Sequence, residues 1–328
     1  MSDSGHRVLA IARHEYRSAV RSRALVSLLI ILIVVTAVSV AIASADYASQ
    51  LADYQAYRSA AIDSGIKIVA PSPLAPLSLL RGAIEYLEII GAVIAITLGY
   101  LTISRERSNR TLPLLMSRPL TTAELSTGSV LGAFGVIVTL VVATAVAALL
   151  TIRLVGHDWL RGVEIPKLLL AYLAAVIYMV AFYCLGAITT ALSRNSANGL
   201  MVALGIWLIV VLVLPQIGDT LDADNQLPGG LFAALNLGHN DEVQILTHFS
   251  LYERIRTSIE AASFEKHFER FAFAMTDVKE RFRTLSLPQL FNETRSSIVW
   301  LMVYPLALLV WLRRSFRRLP AISKGDQW

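Results

Sequence analysis

The chain holds one cysteine in 328 residues, Cys184, so it can build neither an internal disulfide nor a multi-cysteine zinc or iron–sulfur site. It is also poor in charge: Asp, Glu, Lys and Arg make up 16% of residues, against roughly 25% in ordinary globular domains. There is no Gly-x-x-x-x-Gly-Lys-Ser/Thr phosphate loop, no His-Glu-x-x-His, no Gly-x-Ser-x-Gly and no aspartate pair within an apolar run. These absences take away the usual sites of nucleotide, zinc-protease and serine-hydrolase chemistry, and the chain is not expected to be an enzyme. A soft-metal path would need clustered Cys, Met or His. Met179, Cys184 and Met201 are scattered, and His239, His248 and His267 stand at spacings unlike helical ligands, so no metal site is expected. Tandem repeats and low-complexity tracts are missing as well.

What the chain has is apolar surface. Hydrophobic residues reach 55% and the mean hydropathy is +0.59, which is the membrane class. Spanning a bilayer takes about 20 mostly apolar residues. Six segments qualify: Ala24–Ser44, Ala83–Ile103, Ser129–Ile152, Leu168–Leu192, Gly199–Ile217 and Thr294–Leu312. The first is too long for a cleaved signal peptide and lacks a clean small-residue cleavage site after it. The expected fold is therefore an all-α membrane protein with six transmembrane helices. An N-terminal amphipathic helix and a helical outer domain between the fifth and sixth spans complete it.

Lysine and arginine near the spans set the orientation. With six spans both termini share a side, which carries 15 basic and five acidic residues. The other side carries 14 basic and 19 acidic residues in about twice as much chain. The first side, with both termini, is expected to be cytoplasmic, in the cell's inner membrane. The expected divisions are a cytoplasmic interfacial helix (1–23), spans 1–5 (24–217) with an outer loop (45–82) and a cytoplasmic loop (104–128), an outer helical domain (218–293), span 6 (294–312) and a basic tail (313–328). The lipid bilayer is the first partner implied; no nucleic acid is expected.

In the first 23 residues, Val8, Ile11, Ala12, Tyr16, Ala19 and Val20 share one helical face, while Arg7, His14, Arg17 and Arg21 lie largely on the other. This reads as a helix lying at the membrane surface with its arginines toward phosphates, or as a plain basic flank to span 1. In the outer domain, Leu227–Gly230 is a turn signal, and Glu242–Leu285 contains neither Gly nor Pro, so one long helix or a bent pair is expected. Phe264, Phe268, Phe271, Met275, Val278, Phe282 and Leu285 recur at alternating four- and three-residue steps, a heptad seam over three repeats. Its counterpart is the 45–82 loop or a second helix of the same chain, or else a second copy or an envelope protein.

Two acids enter span 2. Glu85 and Glu88 share a helical face. Counted from Ile103, Glu88 stands about 22 Å above the inner edge, at about 1.5 Å per residue. An ionisable group at that depth is a candidate for the transport pathway. The alternative places both acids at the outer interface with Arg81 as partner.

The cytoplasmic loop after span 2 is the most informative stretch. It reads Ser104-Arg105-Glu106-Arg107-Ser108-Asn109-Arg110-Thr111-Leu112-Pro113-Leu114-Leu115-Met116-Ser117-Arg118-Pro119-Leu120-Thr121-Thr122-Ala123-Glu124-Leu125. Physically this is a charged hinge, a short apolar helix, a proline stop and a new helix start, with Thr121 and Glu124 forming a capping box. A short amphipathic helix projecting from the membrane suits a groove on another protein.

Arg105, Glu106, Arg107, Thr111, Leu112, Leu114, Leu115, Pro119, Leu120 and Gly128 match the loop pattern of the type-2 ATP-binding-cassette permeases, which the chain resembles. Ser108, Arg110 and Ser129 depart from that pattern without changing its plan. Within that family it is most similar to permeases of the nitrous-oxide-reductase-maturation type, which carry enlarged outer loops. The resemblance implies the permease subunit of a transporter that couples ATP hydrolysis to movement of a substrate, in the export direction. The energy would come from separate ATPase subunits, which bind ATP and Mg; this chain needs no cofactor of its own. The helix near Arg110–Ser117 would seat in the ATPase, making Glu106, Arg110, Thr111, Leu112, Leu114, Leu115 and Pro119 the coupling residues. A second copy or a sister permease would complete the path. The alternative is an ATPase-driven machine acting on an envelope partner at the outer domain.

Overall fold

The computed structural model describes residues 3–64, 76–108, 121–156, 162, 164–221, 235, 254, 258, 263–278, 280–283 and 285–316. Among these residues the regular structure is entirely helical. Six helices are long and apolar enough to cross a membrane: Arg23–Ala60, Pro76–Arg105, Ala123–Val155, Glu164–Leu192, Ser196–Ile217 and Arg295–Phe316. They are spans 1–6 below. The end of the bundle carrying Arg105 and Leu192 is its base, and the opposite end is the far end.

Spans 2 and 4 form the buried centre. Leu87, Ile94, Ala95 and Ile96 of the one, and Ala175, Tyr178, Met179 and Tyr183 of the other, are all closed off. Their backbones cross closely at two glycines. A Cβ on Gly99 would overlap the Tyr183 carbonyl oxygen, and one on Gly186 would overlap the Ile96 carbonyl oxygen. Small residues at such a crossing allow the tight van der Waals packing that holds helices together in lipid. Span 1, by contrast, exposes Ile30, Ile31, Val34 and Val38, and span 5 exposes Met201, Val202 and Ile209. Those apolar faces are ones a bilayer would cover.

The N-terminal segment is helical over Asp3–Val20, as its pattern predicts. It lies along the start of span 3. A Cβ on Gly132 would stand 2.6 Å from the Ala12 carbonyl oxygen, and one on Gly128 would stand 2.7 Å from Ile11. Gly128, which the sequence marks only by family pattern, thus has a physical reason. The capping box at Thr121 and Glu124 is present in both directions.

Two expectations need correction. The helix of span 1 does not end near Ser44 but runs on to Asp63. Ala45–Asp63 is Ala-rich and has no Gly or Pro, so nothing there stops a helix once begun. The phenylalanine seam is not continuous either. Its helix, Phe264–Met275, ends at Thr276, and Asp277 takes a positive φ of 54°. Asp tolerates that left-handed conformation better than most residues. A separate short helix, Glu280–Arg283, follows. Positions 242–253, 255–257, 259–262, 279 and 284 of the expected long helix, and the expected turn at 227–230, lie outside the described residues.

Candidate functional site

Helix Phe264–Met275 is inserted among the spans. Phe264 and Phe268 stack on Tyr178 of span 4, with ring centroids 5.3 and 4.5 Å apart. Phe264 also meets Phe182 at 6.0 Å and Tyr304 of span 6 at 5.1 Å. Phe182 is well along span 4, which begins at Glu164, so the N-terminus of the inserted helix reaches past the middle of that span. The seam therefore packs within the chain, against spans 4 and 6. Phe273, off the seam, sits under the Arg81 guanidinium, at the end of the 45–82 segment, 5.7 Å from ring centre. Beneath the helix N-terminus is an apolar cavity of about 160 Å³, bordered by Phe182, Leu185, Ile206, Val210, Phe264 and Tyr304.

Polar groups pin this helix at both ends. At the deep end Ser263 caps it, accepting from the Lys266 N–H at 3.4 Å, and donates to the Val210 carbonyl at 3.1 Å. Val210 lies in a π-helical turn, Leu208–Val213. Such turns free backbone carbonyls from the helical ladder and recur at functional sites. Span 2 has one too, Leu87–Gly91, and there Tyr178 donates its hydroxyl to the Glu88 carbonyl at 3.1 Å. At the other end the Lys167 ammonium bonds both carboxylate oxygens of Asp277, at 2.8 and 3.0 Å, with both side chains buried.

The two acids of span 2 have different surroundings. Glu85 pairs with Arg81 at 2.7 Å, its side chain 40% exposed, on a groove that also holds Ser39 and Asp46 of span 1. Glu88 is 7% exposed. Its carboxyl shares a hydrogen bond with that of Glu265 on the inserted helix, while its Oε2 finds no partner among the described residues. Burial above all pushes the Glu265 carboxyl up to about 7. The bond with Glu88, the Lys266 charge and Ser263 pull it down, and Glu269 pushes it up.

The sequence reading missed Glu265, Ser263, Tyr178, Lys167 and Asp277. One signal was there: Glu265 lies three residues before Phe268, an acid on the apolar side of an amphipathic helix. Lys167 and Asp277 are 110 positions apart and carried no local signal.

At the base, span 2 ends in two arginines that reach in different directions. Arg105 donates to Ser18 Oγ of the N-terminal helix at 2.7 Å. Arg107 donates to the Ser193 and Ala191 carbonyls at 2.7 and 2.9 Å, satisfying carbonyls at the end of span 4. Arg7 approaches Glu124 at 3.8 Å, and Tyr16 and Thr139 share a hydrogen bond at 3.2 Å. The N-terminal helix, spans 2 and 3 and the end of span 4 are thereby tied into one block. Of the expected coupling residues, Glu106 falls in the last turn of helix Ala92–Ser108. Arg110, Thr111, Leu112, Leu114, Leu115 and Pro119 lie outside the described residues. Among the described residues no group of three or more His, Cys, Asp or Glu could hold a metal ion.

No curated protein matches the chain. A family model described as "ABC-2 family transporter protein" matches residues 9–318. That match runs from the N-terminal helix through all six spans and takes in the inserted helix, so the chain, a multi-pass membrane protein, belongs to the ABC-2 transporter family.

Proposed function

We propose that this chain is the permease subunit of an ATP-driven exporter whose ATPase is a separate polypeptide. The observation that carries the reading is the family match over residues 9–318, since such a chain works with a cassette ATPase. ATP and Mg are bound by that partner, and this chain supplies the path and the docking element. The loop from Ser104 to Thr122 seats in the ATPase, with Leu112, Leu114 and Leu115 as its apolar contact and Glu106, Arg110, Thr111 and Pro119 setting its shape and charge. It emerges from the tied block at the base, and Arg105 and Arg107 support this role because they would pass its displacement to the N-terminal helix and to span 4. Both termini and this loop face the cytoplasm, as the excess of basic residues favours. Two permease chains, either two copies or one with a sister, make the active unit, closed two-fold pairing being the commonest symmetry.

Changing Leu114→Asp and Leu115→Asp together tests the loop. Charging an apolar contact that fills a groove removes its main attraction, so affinity for the ATPase should fall by about a hundredfold or more, equivalent to roughly 3 kcal/mol. Co-purification and ATP hydrolysis would be lost while membrane insertion stays intact. A double variant that keeps its ATPase and its hydrolysis rate would refute this assignment.

A further inference from the structure

We propose that the groove between spans 1 and 2 holds a phospholipid with a primary-ammonium headgroup, of the phosphatidylethanolamine kind, drawn from the leaflet at the far end. This goes beyond the pump reading and depends on neither the ATPase nor the direction of transport. The groove encloses about 660 Å³. Span 1 rises from the base to the far end and span 2 descends beside it, with Ser39 next to Gly82. From that level, at about 3.6 residues per turn, Asp46 stands about two turns toward the far end. Arg81 and Glu85 lie within about one turn of it, and Val34 more than about one turn toward the base. The groove is therefore charged above and apolar below, the order in which a lipid presents its own parts.

The apolar part has the length of one leaflet. Val34, Val38 and Ile42 line the groove and are exposed, and Ile31 continues their face toward the base. From Ile31 to Ile42 is about 16 Å, at about 1.5 Å per residue. Half of a hydrocarbon core about 30 Å thick is about the same. The stripe is thus a rail for an acyl chain that enters from one side of the membrane.

The charged part selects the headgroup. Arg81 donates through Nε to Glu85 at 2.7 Å, and its guanidinium lies over the Phe273 ring. Those two contacts hold the fork in place. Its terminal nitrogens bond nothing among the described residues, and such a fork matches a phosphate. Asp46 accepts from Gln50 at 2.8 Å through Oδ2, which leaves Oδ1 for a ligand. One guanidinium stands against two carboxylates in the lining, Asp46 and Glu85. A lipid of net negative charge is repelled by that balance. A headgroup that brings a cation with its phosphate suits it. A primary ammonium also donates hydrogen bonds to Asp46, which the quaternary nitrogen of choline cannot do. An apolar helix from a second copy would cover Val34, Val38 and Ile42 equally well. It would also bury Arg81 and Asp46 without new partners, which is costly.

The test uses the full chain without its ATPase, in nanodiscs of equal parts phosphatidylethanolamine, phosphatidylcholine and phosphatidylglycerol, so that failure of the proposed coupling leaves it unaffected. A water-soluble carbodiimide joins a carboxylate to an amine held against it, and peptide mass spectrometry reads where. Asp53, exposed on the same helix and farther out, is the control. The ethanolamine lipid should be joined to Asp46 roughly tenfold more than to Asp53, the worth of a charged hydrogen bond. Arg81→Gln, which removes the phosphate fork, should bring Asp46 down to the level of Asp53. Should that variant not reach the membrane, Asp46→Asn at its exposed position carries the test. Native mass spectrometry should then show ethanolamine and choline lipids retained equally, where the parent retains the ethanolamine lipid in excess. No excess of lipid at Asp46 in the parent would overturn the proposal. So would an excess that survives Arg81→Gln, or a retention preference that survives Asp46→Asn. Asp46 joined to a lysine of a second copy would give the groove to a protein contact instead.

Discussion

Lys167→Met should destabilise the protein by about 3–5 kcal/mol, because it strands the Asp277 carboxylate in a buried site. The two oxygens of Asp277 take 2.8 and 3.0 Å bonds from Lys167, and the side chains are only 9% and 8% exposed. Most of the loss is the cost of an unpaired buried charge, so removing that charge as well should restore much of it. The proper second change is Asp277→Asn. Asp277 sits at φ 54°, a conformation that Asn tolerates and that Leu would strain. Thermal unfolding of the two variants in the same lipid checks the prediction. Lys167→Met should be far less stable than Lys167→Met with Asp277→Asn. Equal melting temperatures in parent and Lys167→Met would mean that the pair does not anchor the end of the inserted helix.

Arg107→Ala should loosen the end of span 4 by roughly 1.5–3 kcal/mol, the usual worth of a charged hydrogen bond. One guanidinium holds two carbonyls at the end of that span, Ala191 within it at 2.9 Å and Ser193 just beyond it at 2.7 Å. Amide hydrogen exchange at 189–195 should quicken by about ten- to a hundredfold, following the local opening equilibrium. Arg107→Lys should recover only part of this, because a single ammonium cannot hold two carbonyls as a planar fork does. Exchange unchanged in Arg107→Ala would show that span 4 ends firmly without span 2. The proposed coupling loop would then have no tie to span 4 through this residue.

The six spans were legible because each is a long apolar run, and lipid demands nothing subtler of a helix. Where helices end was less legible. Apolar content falls at Ser44, but helix propensity does not fall until Asp63, and the first signal was read as if it were the second. The phenylalanine stripe was visible by spacing, yet its break after Met275 was not, since a positive φ at Asp277 leaves no mark on a three–four repeat. Its counterpart was also hidden. The contact of Phe268 with Tyr178 is settled by how the spans assemble, which local pattern does not encode. Glu88 is conspicuous as an acid at that depth in span 2, whereas Glu265 is one of several charges in a mixed polar and apolar segment that bears no local mark of insertion among the spans. The arginines at the base were read as a charged hinge. Their separate targets, Ser18 and the end of span 4, required the fold.

The central claim, that this chain is half of a pump powered by a separate ATPase, is met most directly by weighing the assembly. The chain, tagged at a terminus and purified from its own membrane, would be examined by native mass spectrometry, with vanadate-sensitive ATP hydrolysis measured on the same sample. The expected result is a four-part complex of two permease chains and two ATPase subunits, the latter carrying the phosphate-binding loop that this sequence lacks, and hydrolysis that the Leu114→Asp, Leu115→Asp variant abolishes. A stable assembly with no ATPase in it and no hydrolysis would rule out a separate ATPase as the source of power.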